Sequence, residues 1–303
     1  MTTQSGILVV DKPSGWTSHQ VVGRCRRLLG TRKVGHAGTL DPMATGVLVV
    51  GVNRATRLLG HLALHDKRYW ATVRLGIETV TEDADGDVTA TRGAAGIAED
   101  AVRAAMLPYI GDITQVPSAV SAIKVDGKRS YARVRAGEDV VLKARPVTVS
   151  RYDLLAVRPA EVDGVAVVDL DVDVECSSGT YIRALARDLG NELGTGAHLT
   201  ALRRTRVGGY SLDDVTVDVT VDPAEAPEPE LMSMADAAAR SFPVVQVDDA
   251  SSRAVSYGRP LDLTLDRLTG ILDPQGALLA LYRPGGDGRA VPEAVLTEPE
   301  GNR

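Results

Sequence analysis

Cysteine is almost missing from this chain: Cys25 and Cys176 are its only two in 303 residues. Two isolated thiols give neither a disulfide framework nor the paired spacing of a zinc site, so both read as packed thiols. Long apolar runs are missing too. No stretch reaches the roughly 18 to 20 residues that a membrane span needs. Residues 1–6 lack the basic, apolar and small-residue succession of a secretory signal. A cytoplasmic protein with no membrane partner is expected. No internal repeat is evident, and His19, His61, His65 and His198 have no companion cysteines or spaced carboxylates, so no metal is expected. An excess of positive charge is absent as well, since the net charge is −6.

That average conceals a strong asymmetry. Residues 1–75 hold eleven Lys/Arg against Asp11, Asp41 and Asp66, and residues 124–151 hold eight against Asp126, Glu138 and Asp139. From Asp213 onward the balance reverses to seventeen acids against seven arginines. Basic residues clustered in particular segments favour a phosphate-binding surface there, whatever the net charge.

With 44% hydrophobic residues the chain can bury a large core, and its length suits one large domain plus a smaller one. The run Gly6-Ile7-Leu8-Val9-Val10 reads as a buried strand, closed by the turn Asp11-Lys12-Pro13-Ser14-Gly15. Val21, Val22, Cys25, Leu28 and Leu29 predict an amphipathic helix over 18–29, capped by Thr17 or Ser18 and stopped by Gly30. Residues 47–52 and 69–75 read as strands. In 168–175, valines and leucine alternate with Asp169, Asp171, Asp173 and Glu175, which predicts a half-exposed strand at or near a sheet edge. A helix follows, carrying Ile182, Leu185, Ala186, Leu189 and Leu193. Arg183 falls in its first turn, where a cation opposes the helix dipole, so a specific anionic partner is expected. The order of elements predicts an α+β fold with a mixed, largely antiparallel sheet flanked by helices. Pro223, Pro227 and Pro229 among acids make 213–230 read as a solvated connection. Beyond it, 244–247 and 277–282 read as strands of a small β-rich module.

The chemistry concentrates in Gly35-His36-Ala37-Gly38-Thr39-Leu40-Asp41-Pro42, continued by Ala44-Thr45-Gly46. One carboxylate stands among glycines that permit tight bends and close approach to a ligand, and Pro42 stiffens its C-terminal side. Asp41 is the candidate catalytic residue. Taken alone, a Gly-rich Asp-Pro turn is also ordinary loop chemistry.

This loop, preceded by Asp11-Lys12-Pro13-Ser14-Gly15, resembles the signature of the tRNA pseudouridine synthases of the TruB family. The resemblance continues through Lys67-Arg68-Tyr69, Thr79-x-Thr81-x-Asp83-x-x-Gly86, Gln115-Val116-Pro117, Ser121-Ala122-Ile123-Lys124, Ser178-Gly179-Thr180-Tyr181-Ile182-Arg183 and Leu202-Arg203-Arg204. It covers the first two thirds of the chain, and the last hundred residues match only loosely. The family's fold would be a catalytic domain over 1–240 with a basic thumb-like insertion at about 115–145, followed by a PUA-like domain over 241–303.

The resemblance implies isomerisation of uridine 55 in the TΨC stem-loop of tRNA, with no cofactor. Asp41 would be the catalytic carboxylate, Arg183 its paired cation, and Tyr69 a ring stacked on the uracil. Tyr181 and Leu202 would wall the uridine pocket. His36 would stand on the RNA side, filling the space left by the everted base. Lys12, at a strand end, is placed with the RNA-binding residues, and so are Lys124, Lys128, Arg129 and Arg135 of the insertion. A monomer with no obligatory protein partner is expected. The chain departs from the family pattern at Ser118, which replaces a second proline, and at Val120, which replaces a tyrosine.

Three other readings compete. A glycosidase or nucleosidase would also attack C1′ but needs a second cooperating carboxylate, and Asp11 reads better as a turn residue. A guide-RNA-dependent pseudouridine synthase would share the aspartate loop. A non-catalytic RNA-binding or RNA-folding protein would fit the basic segments and the PUA-like end.

Overall fold

The computed structural model describes residues 2–118, 124–125, 128–129 and 142–297. The chain packs as two compact units. One comprises Met1–Asp41, Gly46–His65 and Arg206–Arg303, and the other Pro42–Thr45 and Asp66–Thr205.

In the first unit the strand Gly6–Lys12 runs antiparallel to Thr45–Val52, with Lys12 opposite Gly46 and Gly6 opposite Val52, and parallel to Val215–Val217. Its continuous apolar run follows from burial on both faces. Ile7 and Val9, with Val47 and Val49, pack into one core with Leu58, Leu62 and Tyr210. Leu8 and Val10, with Leu48 and Val50, pack into another against Val21, Val22, Cys25 and Leu29 of the helix Ser18–Leu29. That helix is where the periodicity put it. Thr17 caps it through a reciprocal pair with Gln20, and Gly30 ends it at φ 61°.

The acidic stretch after Asp213 is more ordered than its composition suggested. Val215–Val217 is a strand, and Val217 and Val219 lie in the second core. Apolar side chains at alternate positions outweigh the flanking acids and prolines. The C-terminal segment forms a four-stranded sheet in the order Val244–Gln246, Thr269–Leu272, Leu278–Pro284 and Ala290–Val295. Leu278, Leu281 and Leu296 join the core of Ile7 and Val9. Ile271, Ala280 and Tyr282 pack with Val255 of the helix Asp249–Ser256. The first strand and this last sheet therefore share one core.

In the second unit the sheet order is Ala197–Val207, Lys67–Leu75, Val165–Cys176, Arg145–Val162 and Gly111–Gln115. The strand 165–176 lies between two partners, with Cys176 opposite Lys67 on one side and Val174 opposite Tyr152 on the other. It is thus an interior strand, third from the end of the sheet, where its acids suggested a half-exposed strand at or near an edge. The reason is cross-strand pairing. Arg74 donates to both oxygens of Asp169 at 2.7 and 2.8 Å, Thr72 donates to Asp171 at 2.9 Å, and Arg68 donates to both oxygens of Asp173 at 2.8 and 2.5 Å. On the other flank Arg158 pairs with Asp171 and Arg151 with Asp173. The helix Ile182–Glu192 buries Ile182, Leu185, Ala186 and Leu189. The elements make an α+β fold in which the large sheet and the C-terminal four-stranded sheet are each mixed, with Val215–Val217 parallel to Gly6–Lys12 in the first and Val244–Gln246 parallel to Thr269–Leu272 in the second.

Candidate active site

In the first unit the aspartate loop grows out of a hairpin. Val34–Ala37 pairs with Thr45–Val52, placing His36 opposite Val50 and Ala37 opposite Val49. The chain leaves this ladder at Gly38 (φ 82°) and enters the next strand through Gly46 (φ 102°), which lies opposite Lys12; at both positions a side chain would be strained. Leu40 is buried and Asp41 is half-buried, beside an exposed Pro42. Sequence alone did not show what holds Leu40. The fully buried Ser18 hydroxyl accepts from the Leu40 N–H at 2.9 Å and donates to its carbonyl at 3.2 Å. One side chain therefore satisfies both backbone groups of the residue before Asp41.

His36 is half-buried, and its ring meets His19 edge-on at 5.7 Å between centroids and 73° between planes. Lys12 takes a different place from the one expected. It is completely buried, and its ammonium donates to the carbonyls of Pro13 at 2.9 Å and Trp16 at 2.5 Å. It braces the turn and has no exposed surface to offer a phosphate.

The second unit holds the other expected residues. Tyr69 is buried on the strand Lys67–Leu75, opposite Val174, and Leu202 is buried on Ala197–Val207. Beside Tyr69 on the same strand, burial and the charge of Arg204 pull the Lys67 ammonium down to about 8. Tyr181 is the N-cap of the helix Ile182–Glu192 in extended conformation. Its backbone is gripped at both ends by Gln115, which accepts from the Tyr181 N–H at 2.8 Å and donates to its carbonyl at 3.0 Å. The Arg145 guanidinium lies over the Tyr181 ring, 4.8 Å from its centroid.

Arg183 is 4% exposed, a buried cation in the first turn of a helix whose dipole opposes it. Its partners explain how it is held. Nη1 donates to the Thr81 carbonyl at 2.7 Å and to the Ser118 hydroxyl at 3.0 Å, and Nε lies 3.5 Å from Asp83 Oδ2. Asp83 is itself buried and accepts from the Thr81 hydroxyl at 2.5 Å and from the Asp85 N–H at 3.1 Å. Asp83 is thus one anionic neighbour of Arg183. Asp83 and Gln115 belong to matched motifs, and Ser118 is a noted departure. Their roles were not visible because each acts on a residue 65 to 100 positions away.

Of the basic insertion, Lys124–Val125 and Lys128–Arg129 form a short antiparallel ladder. Arg135 lies outside the described residues. His198 is buried with Nδ1 2.8 Å from the Ile77 carbonyl, and burial pushes its pKa down, so it is a neutral structural histidine.

The carboxylate on its braced loop in the first unit, and in the second the buried, hydrogen-bonded guanidinium and the tyrosine at a strand start, are each groups suited to polar, non-redox chemistry at a sugar. The sequence profile described as "TruB family pseudouridylate synthase (N terminal domain)" matches residues 26–182. Profiles for the tRNA pseudouridylate synthase B C-terminal domain and for tRNA pseudouridine synthase II, C terminal, match 183–226 and 242–297. The tRNA pseudouridine synthase B of Cutibacterium acnes is 63% identical over 284 residues, 93% of this chain and 94% of that protein. The protein of the same name from Streptomyces coelicolor is 54% identical over 92% of this chain and 93% of its own length. Among solved structures, an H/ACA RNP bound to a substrate RNA containing 2′-deoxyuridine aligns with TM-score 0.67 at 25% identity, covering 97% of this chain and 86% of that one. A Cbf5-Nop10-Gar1 complex aligns with TM-score 0.66 at 26% identity, covering 97% and 85%.

Proposed function

This chain belongs to the TruB family of pseudouridine synthases and forms pseudouridine in tRNA, and from that premise we propose that its target is uridine 55 of the TΨC loop and that Asp41 carries the reaction. The isomerisation breaks the bond between ribose C1′ and base N1, turns the base, and joins C1′ to C5. The C5 proton is lost and N1 gains one, so nothing is oxidised or reduced. An aspartate carboxylate can act as nucleophile or as base.

In this reading Arg183 is the cation that faces the Asp41 carboxylate. Tyr69 stacks on the uracil, and Tyr181 and Leu202 wall its pocket. Eversion of the uridine costs a few kcal/mol, and His36 occupies the place it leaves. Lys124, Lys128, Arg129 and Arg135 contact RNA phosphates, which fix position without reading sequence. We assign the catalytic domain to 1–240 and a PUA-like domain to 241–303, in a protein that acts as a monomer in the cytoplasm without an obligatory protein partner. The observation that carries the proposal is the near-complete 63% match to a tRNA pseudouridine synthase B, against 25–26% for the chains from an H/ACA RNP and a Cbf5-Nop10-Gar1 complex.

The test is to incubate unmodified tRNA transcripts with the pure protein and map pseudouridine by carbodiimide adducts and primer extension. Product at position 55 alone, with no guide RNA or second protein added, is expected. Product at another position, or only after a guide RNA is supplied, overturns the assignment of the target.

A further inference from the structure

We infer that Ser118 is a positioning residue that acts through Arg183, an assignment that rests on the reading of Arg183 given above. Three ties hold the segment after the strand Gly111–Gln115 in register with the start of the helix Ile182–Glu192. Gln115 closes two hydrogen bonds with the Tyr181 backbone at 2.8 and 3.0 Å. The Val116 carbonyl accepts from Arg187 Nη2 at 2.9 Å. Ser118, 1% exposed, then presents its hydroxyl to Arg183 Nη1 at 3.0 Å.

Nη1 has two hydrogens, and the Thr81 carbonyl and the Ser118 hydroxyl take one each. With Asp83 near Nε, groups on two segments, the stretch 81–83 and Ser118, help to orient the guanidinium. A buried cation is held in one orientation only while its donors are matched, and a lost acceptor lets the plane turn toward any other oxygen within reach. Ser118 also stands where the family pattern has a second proline, which would bring no hydroxyl.

Acting through Arg183, Ser118 governs the chemical step and leaves RNA binding alone. The experiment compares the unsubstituted protein, Ser118→Ala, Arg183→Lys and the double variant in single-turnover and steady-state assays on a tRNA transcript, with melting temperatures recorded for each. Ser118→Ala is expected to lower the single-turnover rate and kcat about tenfold, the scale of one hydrogen bond to a charged group, with KM for tRNA unchanged. In the Arg183→Lys background the same substitution is expected to have no further effect, because the pair acts as a unit. A rate within twofold of the unsubstituted protein overturns the inference, and so does an equal fractional loss in both backgrounds. An Asp41→Asn control run alongside separates the two readings. If it still makes pseudouridine, the site assignment itself fails. If it is inert while Ser118→Ala is fully active, only the role of Ser118 fails.

Discussion

Ser18 and Leu40 stand 22 positions apart in sequence, and in the structure they exchange two hydrogen bonds, at 2.9 Å and 3.2 Å, through a single buried hydroxyl. The first turn of a helix is thereby tied to the residue before the candidate catalytic aspartate. Because Leu40 is buried, neither of its backbone groups can turn to water if the hydroxyl is removed.

Ser18→Ala is therefore expected to cost about 1–3 kcal/mol of stability. It should also lower the single-turnover rate by about tenfold or more, since small displacements of a reacting group are costly. Urea denaturation and rapid-quench assays of the variant check both. An unchanged rate at reduced stability would show that Ser18 serves the fold alone.

Lys67 gives stability a pH dependence of definite sign. Burial, helped by the charge of Arg204, brings it from 10.5 to about 8. Between those values the unfolded chain holds a proton that the folded chain has released, so this residue's contribution rises with pH across that window. Below about 8 it is charged in both states and the gain is absent. The stability of the unsubstituted protein relative to Lys67→Met should therefore improve by about 3 kcal/mol from pH 7 to pH 10.5. Urea midpoints of the two proteins at both pH values give the difference, and a flat difference refutes the assignment.

Asp173 works in the opposite direction. Hydrogen bonds from Arg68, then from Arg151, hold its carboxyl below the ordinary carboxylate range. Its stabilisation is complete above the unfolded value of about 3.9 and is lost as pH falls through the folded value. Both arginines are partly exposed, so solvent screening reduces the effect. Asp173→Asn is expected to cost about 1 kcal/mol at pH 7, and the deficit should shrink below pH ~4. Thermal melts at pH 7 and pH 3 test this, and a deficit as large at pH 3 as at pH 7 would contradict it.

The parts of the fold that sequence made legible are those whose signal is local. The helix 18–29 shows its apolar stripe and its caps within twelve residues, and the aspartate loop shows its glycines in a single run. The strand 165–176 was placed at or near an edge because its acids are paired with Arg68 and Arg74 and hydrogen-bonded by Thr72, about 100 residues earlier in the chain. Local patterning carries no record of a partner that distant. The same limit hid the site's supports. Ser18 read as a possible helix cap, yet its hydroxyl serves Leu40 while Thr17 does the capping. Lys12 read as an RNA contact because a lysine at a strand end is usually exposed, whereas here the turn folds two carbonyls over its ammonium. For Arg183 the local pattern showed a cation set against a helix dipole, but not Asp83, 100 positions earlier, as one of its neighbours.

The central claim is that one carboxylate, Asp41, does the chemistry on an everted uridine. Asp41→Asn keeps the shape of the side chain and removes its charge. With enzyme in excess over a radiolabelled tRNA transcript, this variant is predicted to form no pseudouridine over many half-lives of the unsubstituted reaction, while filter binding gives a tRNA Kd within about threefold of the original, as expected when phosphate contacts dominate affinity. Pseudouridine formed at a rate near that of the unsubstituted protein would contradict the account.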